Sequence, residues 1–191
     1  MPFNLTDFKG ALTGQGARPT LFDVQITSPS YTAGDPVGKI NFTCRAAQLP
    51  GKTFGVIEVP YFGRKVKVAG DQTFAEWTVT VINDENFTHR KSFEAWMQNV
   101  AQYQDHSGIT NPTDYMGNAT VYQLGRSAST QSSIGTAGNT AKILAQYKFV
   151  DIFPTNVAAI DLSYDTSDTI EEFTVEFQVQ YYYPEAAGAG A

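Results

Sequence analysis

Near the C-terminal end of the chain, within residues 169–183, apolar and polar residues alternate strictly from Phe173 to Gln180. Successive side chains of a β-strand point to opposite faces, so this alternation predicts a strand with one face on a hydrophobic core. The predicted core face consists of Phe173, Val175, Phe177 and Val179. The opposite face consists of Thr174, Glu176, Gln178 and Gln180.

Shorter apolar and β-branched runs, separated by Gly, Pro, Asn and Asp, recur along most of the chain. They predict further strands at residues 21–26, 39–44, 53–68, 74–82, 118–124, 143–153 and 158–163. Val66 and Val68 alternate with Lys65 and Lys67, which is typical of a half-exposed strand. A turn is expected at residues 69–71, where Gly70 precedes Asp71.

One amphipathic helix interrupts the strands. Its apolar stripe, at i, i+3, i+4 and i+7, consists of Phe93, Trp96, Met97 and Val100. Asn83 or Asp84 is the predicted N-cap, and the helix is expected to end at residues 102–106. Arg90 and Glu94 are expected to form an i, i+4 pair on the exposed side. Many strands and one flanking helix predict a mainly β fold of two packed sheets, arranged as a sandwich or barrel.

The chain has 191 residues, which suits one domain. We expect this domain to span residues 1–183 and to begin with an N-terminal arm at residues 1–18. Residues 125–140 are rich in Gly, Ser, Thr and Ala and predict a flexible loop. The Ala/Gly-rich residues 184–191 predict a disordered tail.

Charge is sparse and unevenly distributed. Charged residues make up 17% of the chain, below the roughly 25% of ordinary soluble domains. All 13 Lys and Arg lie in residues 1–148, whereas residues 149–191 carry eight acidic residues and no basic one. This distribution offers no basic footprint for nucleic acid. It suits subunits that meet a positive face with a negative one, although a solvated acidic strand edge explains it as well.

The sequence contains no recognisable set of catalytic, cofactor-binding or metal-binding residues, and we expect none. A single cysteine, Cys44, excludes an intrachain disulfide. His89 and His106 stand 17 positions apart, without Cys or carboxylates at metal-ligand spacing. Residues 161–172 resemble a calcium loop, but Thr166 occupies the position that needs Gly, and a polar turn is the better interpretation. Neither a membrane span nor a signal peptide is expected.

Several longer motifs occur in one order along the chain. They are residues 59–70, 74–81, 86–96, 147–155, 160–165 and 170–177. Together they resemble the signature of the tail tube protein family of T4-like contractile bacteriophages, over about residues 20–183. The resemblance implies a non-enzymatic structural protein of the virion tail, without cofactors, that is assembled in the cytoplasm of the host bacterium.

The resemblance also implies an architecture and partners. Subunits of this family form hexameric rings whose inner sheets join around a lumen. The rings stack on a baseplate, with tape-measure protein inside the tube and sheath outside, and DNA passes through at ejection. The tube of type VI secretion systems shares this architecture.

Two surfaces follow as expectations. The face with Thr174, Glu176, Gln178 and Gln180 is expected to be lumenal or to lie between subunits. A loop from Arg45 to Lys52, together with the N-terminal arm, is expected to mediate ring stacking. The loop residues concerned are Arg45, Gln48, Leu49, Pro50, Gly51 and Lys52.

Three other functions stay open from the residues alone. A tube component of a contractile injection or type VI system has the same fold. The aromatic content of 13% also permits a carbohydrate-binding module. A hydrolase with dispersed catalytic residues is the third, although no motif supports it.

Overall fold

A computed structural model describes residues 8–10, 16–29, 43–128, 141–165 and 168–185. Its strands are β1 (Phe22–Thr27), β2 (Cys44–Ala47), β3 (Lys52–Tyr61), β4 (Arg64–Phe74), β5 (Trp77–Ile82), β6 (Gly117–Ala128), β7 (Ala141–Val157) and β8 (Glu172–Glu185). The helices used below are α1 (Thr88–Val100) and α2 (Pro112–Tyr115).

Six strands form one antiparallel sheet in the order β1-β6-β7-β8-β5-β2. The two outer strands, β1 and β2, approach each other, so the sheet curls into a nearly closed barrel. The hairpin β3–β4 forms a second, two-stranded sheet. The predicted mainly β, barrel-like fold with two sheets and a flanking helix is confirmed.

Aromatic side chains fill the core between the curled sheet and α1. Phe173, Val175, Phe177 and Val179 are buried, which confirms the predicted core face of β8. Trp77 of β5 stacks on Phe149 of β7, with ring centroids 4.6 Å apart. The core therefore joins strands that lie far apart in sequence.

Helix α1 starts later and ends earlier than the sequence predicts. Phe87 has a left-handed backbone conformation (φ 55°), so regular helix begins only at Thr88. The Asp84 carboxylate nevertheless accepts hydrogen bonds from the Thr88 amide and hydroxyl, both at 2.7 Å. Arg90 and Glu94 form the predicted ion pair at 2.9 Å. Arg90 is half-buried rather than exposed, because its guanidinium also donates to the Ala158 carbonyl oxygen at 2.9 Å.

Two predicted boundaries in the N-terminal half are wrong. The expected turn at residues 69–71 lies inside β4, where Gly70 packs against the Gly55 backbone across the hairpin. A Cβ at Gly70 would lie 3.1 Å from the Gly55 carbonyl oxygen, so glycine permits the close pairing. The expected loop from Arg45 to Lys52 is shorter, because Arg45 lies in β2 and Lys52 begins β3.

Boundaries in the C-terminal half also differ. Residues 158–163 connect β7 and β8 without forming a strand. β6 runs through Ala128, so residues 125–128 of the predicted loop are strand. β8 includes Pro184 and Glu185, because Pro184 pairs with Tyr147 and Lys148 forms an ion pair with Glu185.

Several expectations fall on parts of the chain outside the described residues. These are most of the N-terminal arm and most of the 39–44 strand. Residues 129–140 of the expected loop and residues 186–191 of the expected tail also lie outside the described residues.

Candidate assembly surfaces

The hairpin β3–β4 is exposed along almost its whole length. All ten residues of β3 are exposed, and so are nine of the eleven residues of β4. The large apolar residues left open to solvent are Phe54, Val56, Ile57, Val59, Tyr61, Phe62, Val66 and Val68. Sequence reasoning placed Val66 and Val68 in a half-exposed strand and did not single out this hairpin.

Cross-strand pairing sorts the hairpin into two faces. Ile57 lies opposite Val68, and Val59 lies opposite Val66, so these four residues form one aliphatic face. The other face carries charged residues, including the Lys65–Glu58 ion pair at 2.6 Å. A two-stranded hairpin is marginally stable in water, and contiguous exposed apolar surface marks an interaction site. None of the residues that the structure describes covers this aliphatic face.

The hairpin is rooted beside the C-terminal end of β8. The Phe74 ring meets the Tyr182 ring edge-on, with centroids 5.4 Å apart. The Tyr182 hydroxyl donates to the Pro50 carbonyl oxygen at 2.6 Å, and the Lys52 ammonium lies 5.9 Å from the centre of the same ring. One aromatic side chain thus fixes the start of the hairpin to the main sheet.

The expected stacking loop forms this root and is not a free projection. Arg45 is paired with Glu172. The Gln48 amide donates to the Thr78 carbonyl oxygen at 3.2 Å, and Pro50 is buried. Leu49 and Gly51 are exposed. Pro50 and Lys52 therefore anchor the base of the hairpin at Tyr182, whereas Arg45 contacts the opposite end of β8 at Glu172.

The polar residues of β8 lie together on the face that points away from the core. Thr174, Glu176 and Gln178 are half-buried, and Gln180 is exposed. Gln178 donates to Glu76 at 2.7 Å, and Asn156 donates to Glu176 at 3.2 Å. The facing positions of β5 are Thr80 and Thr78. This surface, named here the polar strand face (Thr174, Glu176, Gln178 and Gln180), carries no basic residue.

His89, His106 and Cys44 lie on different elements of the fold: in α1, in the segment between α1 and α2, and in β2. Among the residues that the structure describes, no group of three His, Cys, Asp or Glu side chains could hold a metal ion. The calcium-like stretch includes Thr166 and Ser167, which lie outside the described residues. Burial raises the pKa of the half-buried Cys44 thiol to about 11, so it is protonated at neutral pH. His89 is buried in α1.

Comparison with known proteins identifies the family. A sequence model of the family described as "Phage tail tube protein" matches residues 17–185. The chain belongs to the phage tail tube protein family. It is 32% identical to "Tail tube protein gp19" of Enterobacteria phage T4 over 170 residues, which cover 89% of this chain and 93% of that protein. It is 23% identical to the "Tail tube protein" of Serratia phage KSP90 over 177 residues, 91% of this chain and 93% of that protein.

Two solved structures share the fold of this phage tail tube family member. One belongs to the sheath-tube complex of the extracellular contractile injection system PVC, with TM-score 0.60 and 12% identity. The match covers 96% of this chain and 99% of that one. The other belongs to the baseplate of the anti-feeding prophage, with TM-score 0.60 and 11% identity, covering 90% of this chain and 97% of that one.

Membership assigns the protein a structural role in the virion tail, and the resemblance seen in the sequence motifs is confirmed. None of the helices within the described ranges combines the length and the apolar character needed to cross a membrane.

Proposed function

We propose that the protein forms the inner tube of a contractile phage tail, as hexameric rings that stack into a hollow conduit for DNA. The observation that carries this proposal is the hairpin β3–β4, whose aliphatic face (Ile57, Val59, Val66 and Val68) has no cover within the described chain. Another copy of the same chain supplies that cover in an assembly. The ring number of six comes from the family resemblance.

The hairpin also leaves strand edges open. Among the strands that the structure describes, β3 and β4 pair only with each other, so the outer edge of each has no strand partner there. Exposed edges of this kind pair with other chains unless they are blocked or covered. Assembly into a ring removes this hazard for every subunit at once.

The polar strand face is proposed to line the lumen or the contact between neighbouring subunits. A conduit must let DNA phosphates slide, whereas each neutralised phosphate adds affinity for the wall. The face carries Glu176 among Thr174, Gln178 and Gln180, and no Lys or Arg, so it offers phosphates no attachment.

The segment Arg45–Lys52 contributes to ring stacking by holding the hairpin in place. Pro50 and Lys52 hold the hairpin root at Tyr182, whereas Arg45 pairs with Glu172 at the other end of β8. The N-terminal arm is proposed to join the same contacts.

The tail partners follow from the similar structures. The injection-system chain with the same fold was solved in a sheath-tube complex, and the anti-feeding prophage chain in a baseplate. By analogy, the outer surface of the tube binds sheath subunits and the first ring binds the baseplate, whereas tape-measure protein in the lumen is proposed from the family resemblance alone. The role is mechanical, without enzymatic activity, and tubes assemble in the host cytoplasm before they enter the virion tail.

A tube of a related injection system is the second candidate function, supported by the shared fold. The 32% identity to the phage T4 tube protein favours the phage tail over it, because the identity to the injection-system chain is 12%. Tubes found on particles with DNA-filled heads support the first candidate, and headless particles support the second.

Negative-stain microscopy of the purified protein tests the proposal. The unmodified chain is expected to show hollow rings and stacked tubes. Replacing Ile57 with Asp places a carboxylate on the aliphatic face and is expected to abolish tubes, whereas Thr53→Asp near the hairpin base serves as the control. A strictly monomeric wild-type protein at high concentration contradicts the proposal.

A further inference from the structure

The tip of the hairpin carries an aromatic residue that its turn disfavours. Phe62 has a left-handed backbone (φ 43°) and is followed by Gly63 with φ 78°. Two successive positive φ values suit a two-residue hairpin turn, in which Asn or Asp is the favoured first residue. A bulky residue at positive φ is an outlier that costs stability. Phe62 is also 91% exposed, and its ring meets the ring of the exposed neighbour Tyr61 edge-on, with centroids 4.7 Å apart, so no core contact offsets that cost.

Basic residues surround this aromatic tip. Arg64 follows the turn, and Lys65 and Lys67 lie further along β4. Lys65 is paired with Glu58. Arg64 and Lys67 make no ion pair with any residue in the described ranges. The tip is therefore an exposed aromatic side chain with available positive charge next to it.

The connection between β7 and β8 is acidic, and its charge is therefore complementary to that of the basic hairpin tip. Residues 158–172 contain five acidic residues and no Lys or Arg. Residues 159–164 and 169–172 of this connection line an open groove of about 690 Å³, and Asp165 follows the lining residue Tyr164. Leu162 is 80% exposed and Ile170 is 73% exposed on its walls. Asp161 and Asp165 are exposed and form no ion pair with the rest of the described chain.

The ends of this connection are fixed to the body of the protein. Arg90 of α1 donates to the Ala158 carbonyl oxygen at 2.9 Å, and the Ala158 amide donates to Thr174 at 2.8 Å. On the other side, the Asn83 side chain and amide donate to Glu171 at 3.0 and 2.9 Å. The groove between these ends is therefore a supported feature with an apolar wall and an acidic rim.

The root of the hairpin and the groove lie at opposite ends of β8. The hairpin is rooted at Tyr182, and the groove residues lead into Glu172. Ten strand residues separate the two positions, a distance of roughly 34 Å. Two different, complementary patches at opposite ends of one subunit make a head-to-tail contact, which repeats without closing. Such a contact builds a stack of any length.

We infer that Phe62 of one subunit inserts into the groove beside Leu162 and Ile170 of the subunit in the next ring. Arg64 and Lys67 pair there with Asp161 and Asp165 across the contact. This inference rests on the proposed function and identifies the receptor for the hairpin. The opposite charges of the tip and the groove also set the orientation of each ring in the stack. Two tips or two grooves that faced each other would carry like charges and repel.

The first test replaces Phe62 with Asn, the residue that the turn itself prefers. This variant retains or gains stability in the isolated subunit, so a loss of assembly reports on the contact and not on folding. We expect soluble rings and a loss of sedimentable tubes. Tubes of normal length from Phe62→Asn overturn the inference.

The second test exchanges the charges. We expect R64E/K67E and D161K/D165K each to form rings without tubes, and the chain with all four changes to regain tubes. Lys91→Glu and Glu85→Lys, both exposed around the start of α1, are the matched controls and are expected to form normal tubes. The inference is contradicted if R64E/K67E or D161K/D165K forms tubes of normal length. It is also contradicted if the chain with all four changes forms rings but no tubes.

Wild-type protein separates this inference from the proposed function. If it forms no rings or tubes, the proposed function fails. If it forms tubes that these changes do not affect, the proposed function stands and the pairing of tip and groove is wrong.

Discussion

The hydroxyl group of Tyr182 donates a hydrogen bond to the carbonyl oxygen of Pro50, at 2.6 Å, across 132 positions of sequence. The same ring packs against Phe74 at the other side of the hairpin base. Tyr182 of the main sheet therefore contacts the chain at both ends of the projecting hairpin. The direction in which the hairpin leaves the body depends on this contact.

Replacing Tyr182 with Phe is expected to loosen the hairpin while preserving the fold. The change removes one hydrogen bond, which is worth about 1 kcal/mol, and leaves the ring contacts in place. Hydrogen exchange in β3 is expected to accelerate, and tubes are expected to become shorter. Tyr183→Phe is the control, and equal exchange rates in the two variants would speak against the anchoring role.

Removing the Phe177 side chain is expected to destabilise the core strongly. Phe177 is fully buried and lies against Trp77, Phe93 and Trp96, with centroid distances of 5.3, 5.9 and 6.2 Å. A Phe→Ala change in such a site costs about 3–5 kcal/mol. We expect the midpoint of thermal unfolding to fall by roughly 10 °C.

This measurement requires unassembled protein, so both variants are made in the Ile57→Asp background. Phe62→Ala, at an exposed position, is the matched control and is expected to change the midpoint little. A Phe177→Ala midpoint equal to that of the control would contradict the core assignment.

Replacing Asp84 with Asn is expected to weaken α1 in a pH-dependent way. Hydrogen bonds from Thr88 hold the pKa of the Asp84 carboxyl below its ordinary value. A lowered pKa means that the stabilisation is present above the unfolded-state pKa, near about 4, and is lost as pH falls through the folded-state value. The Asn side chain can still accept a hydrogen bond from the Thr88 amide, so the change removes mainly the negative charge at the helix N-terminus, which is worth about 0.3–1 kcal/mol at neutral pH.

Urea unfolding of the two chains between pH 7 and pH 2 measures this effect. The gap in unfolding free energy is expected to stay constant down to about pH 5 and then to close. A gap that is unchanged at pH 2 would show that the carboxylate charge contributes nothing.

Cys44 is expected to react slowly with thiol reagents at neutral pH. Burial raises its pKa to about 11, and the thiolate is the reactive form. The rate of modification in the folded protein is expected to rise with pH up to about 11. A rate that levels off near pH 8.5 would instead indicate an ordinary exposed thiol.

Introducing lysine on the polar strand face is expected to make tubes retain DNA. Gln180→Lys adds one positive charge per subunit to the proposed lumen, and phosphate contacts of this kind weaken as salt rises. Tubes of Gln98→Lys, a change at an exposed position of α1, serve as the control. Equal DNA retention by the two variants, measured by co-sedimentation at low salt, would place Gln180 outside the lumen.

The local pattern of apolar residues was sufficient to predict those elements that pack one face on the core of their own chain. The alternation from Phe173 to Val179 predicted the buried face of β8, and the stripe with Phe93 and Trp96 predicted α1. Both depend on a fixed geometric period, two residues for a strand and 3.6 for a helix. Several strand ends were wrong because Gly70 and Pro184 are turn-like in composition but are accommodated within pairing strands.

The sequence by itself determined the family, the mainly β class and the residues that share each face of β8 and α1. Only the tertiary structure decided that the hairpin stands away from the core and that its root lies at Tyr182. It also decided that the acidic groove belongs to the opposite end of β8. The physical reason is that alternation reports which side chains point together, whereas whether a face is covered depends on contacts between residues far apart in sequence. Val66 and Val175 follow the same period, yet Val175 is buried and Val66 is open to solvent.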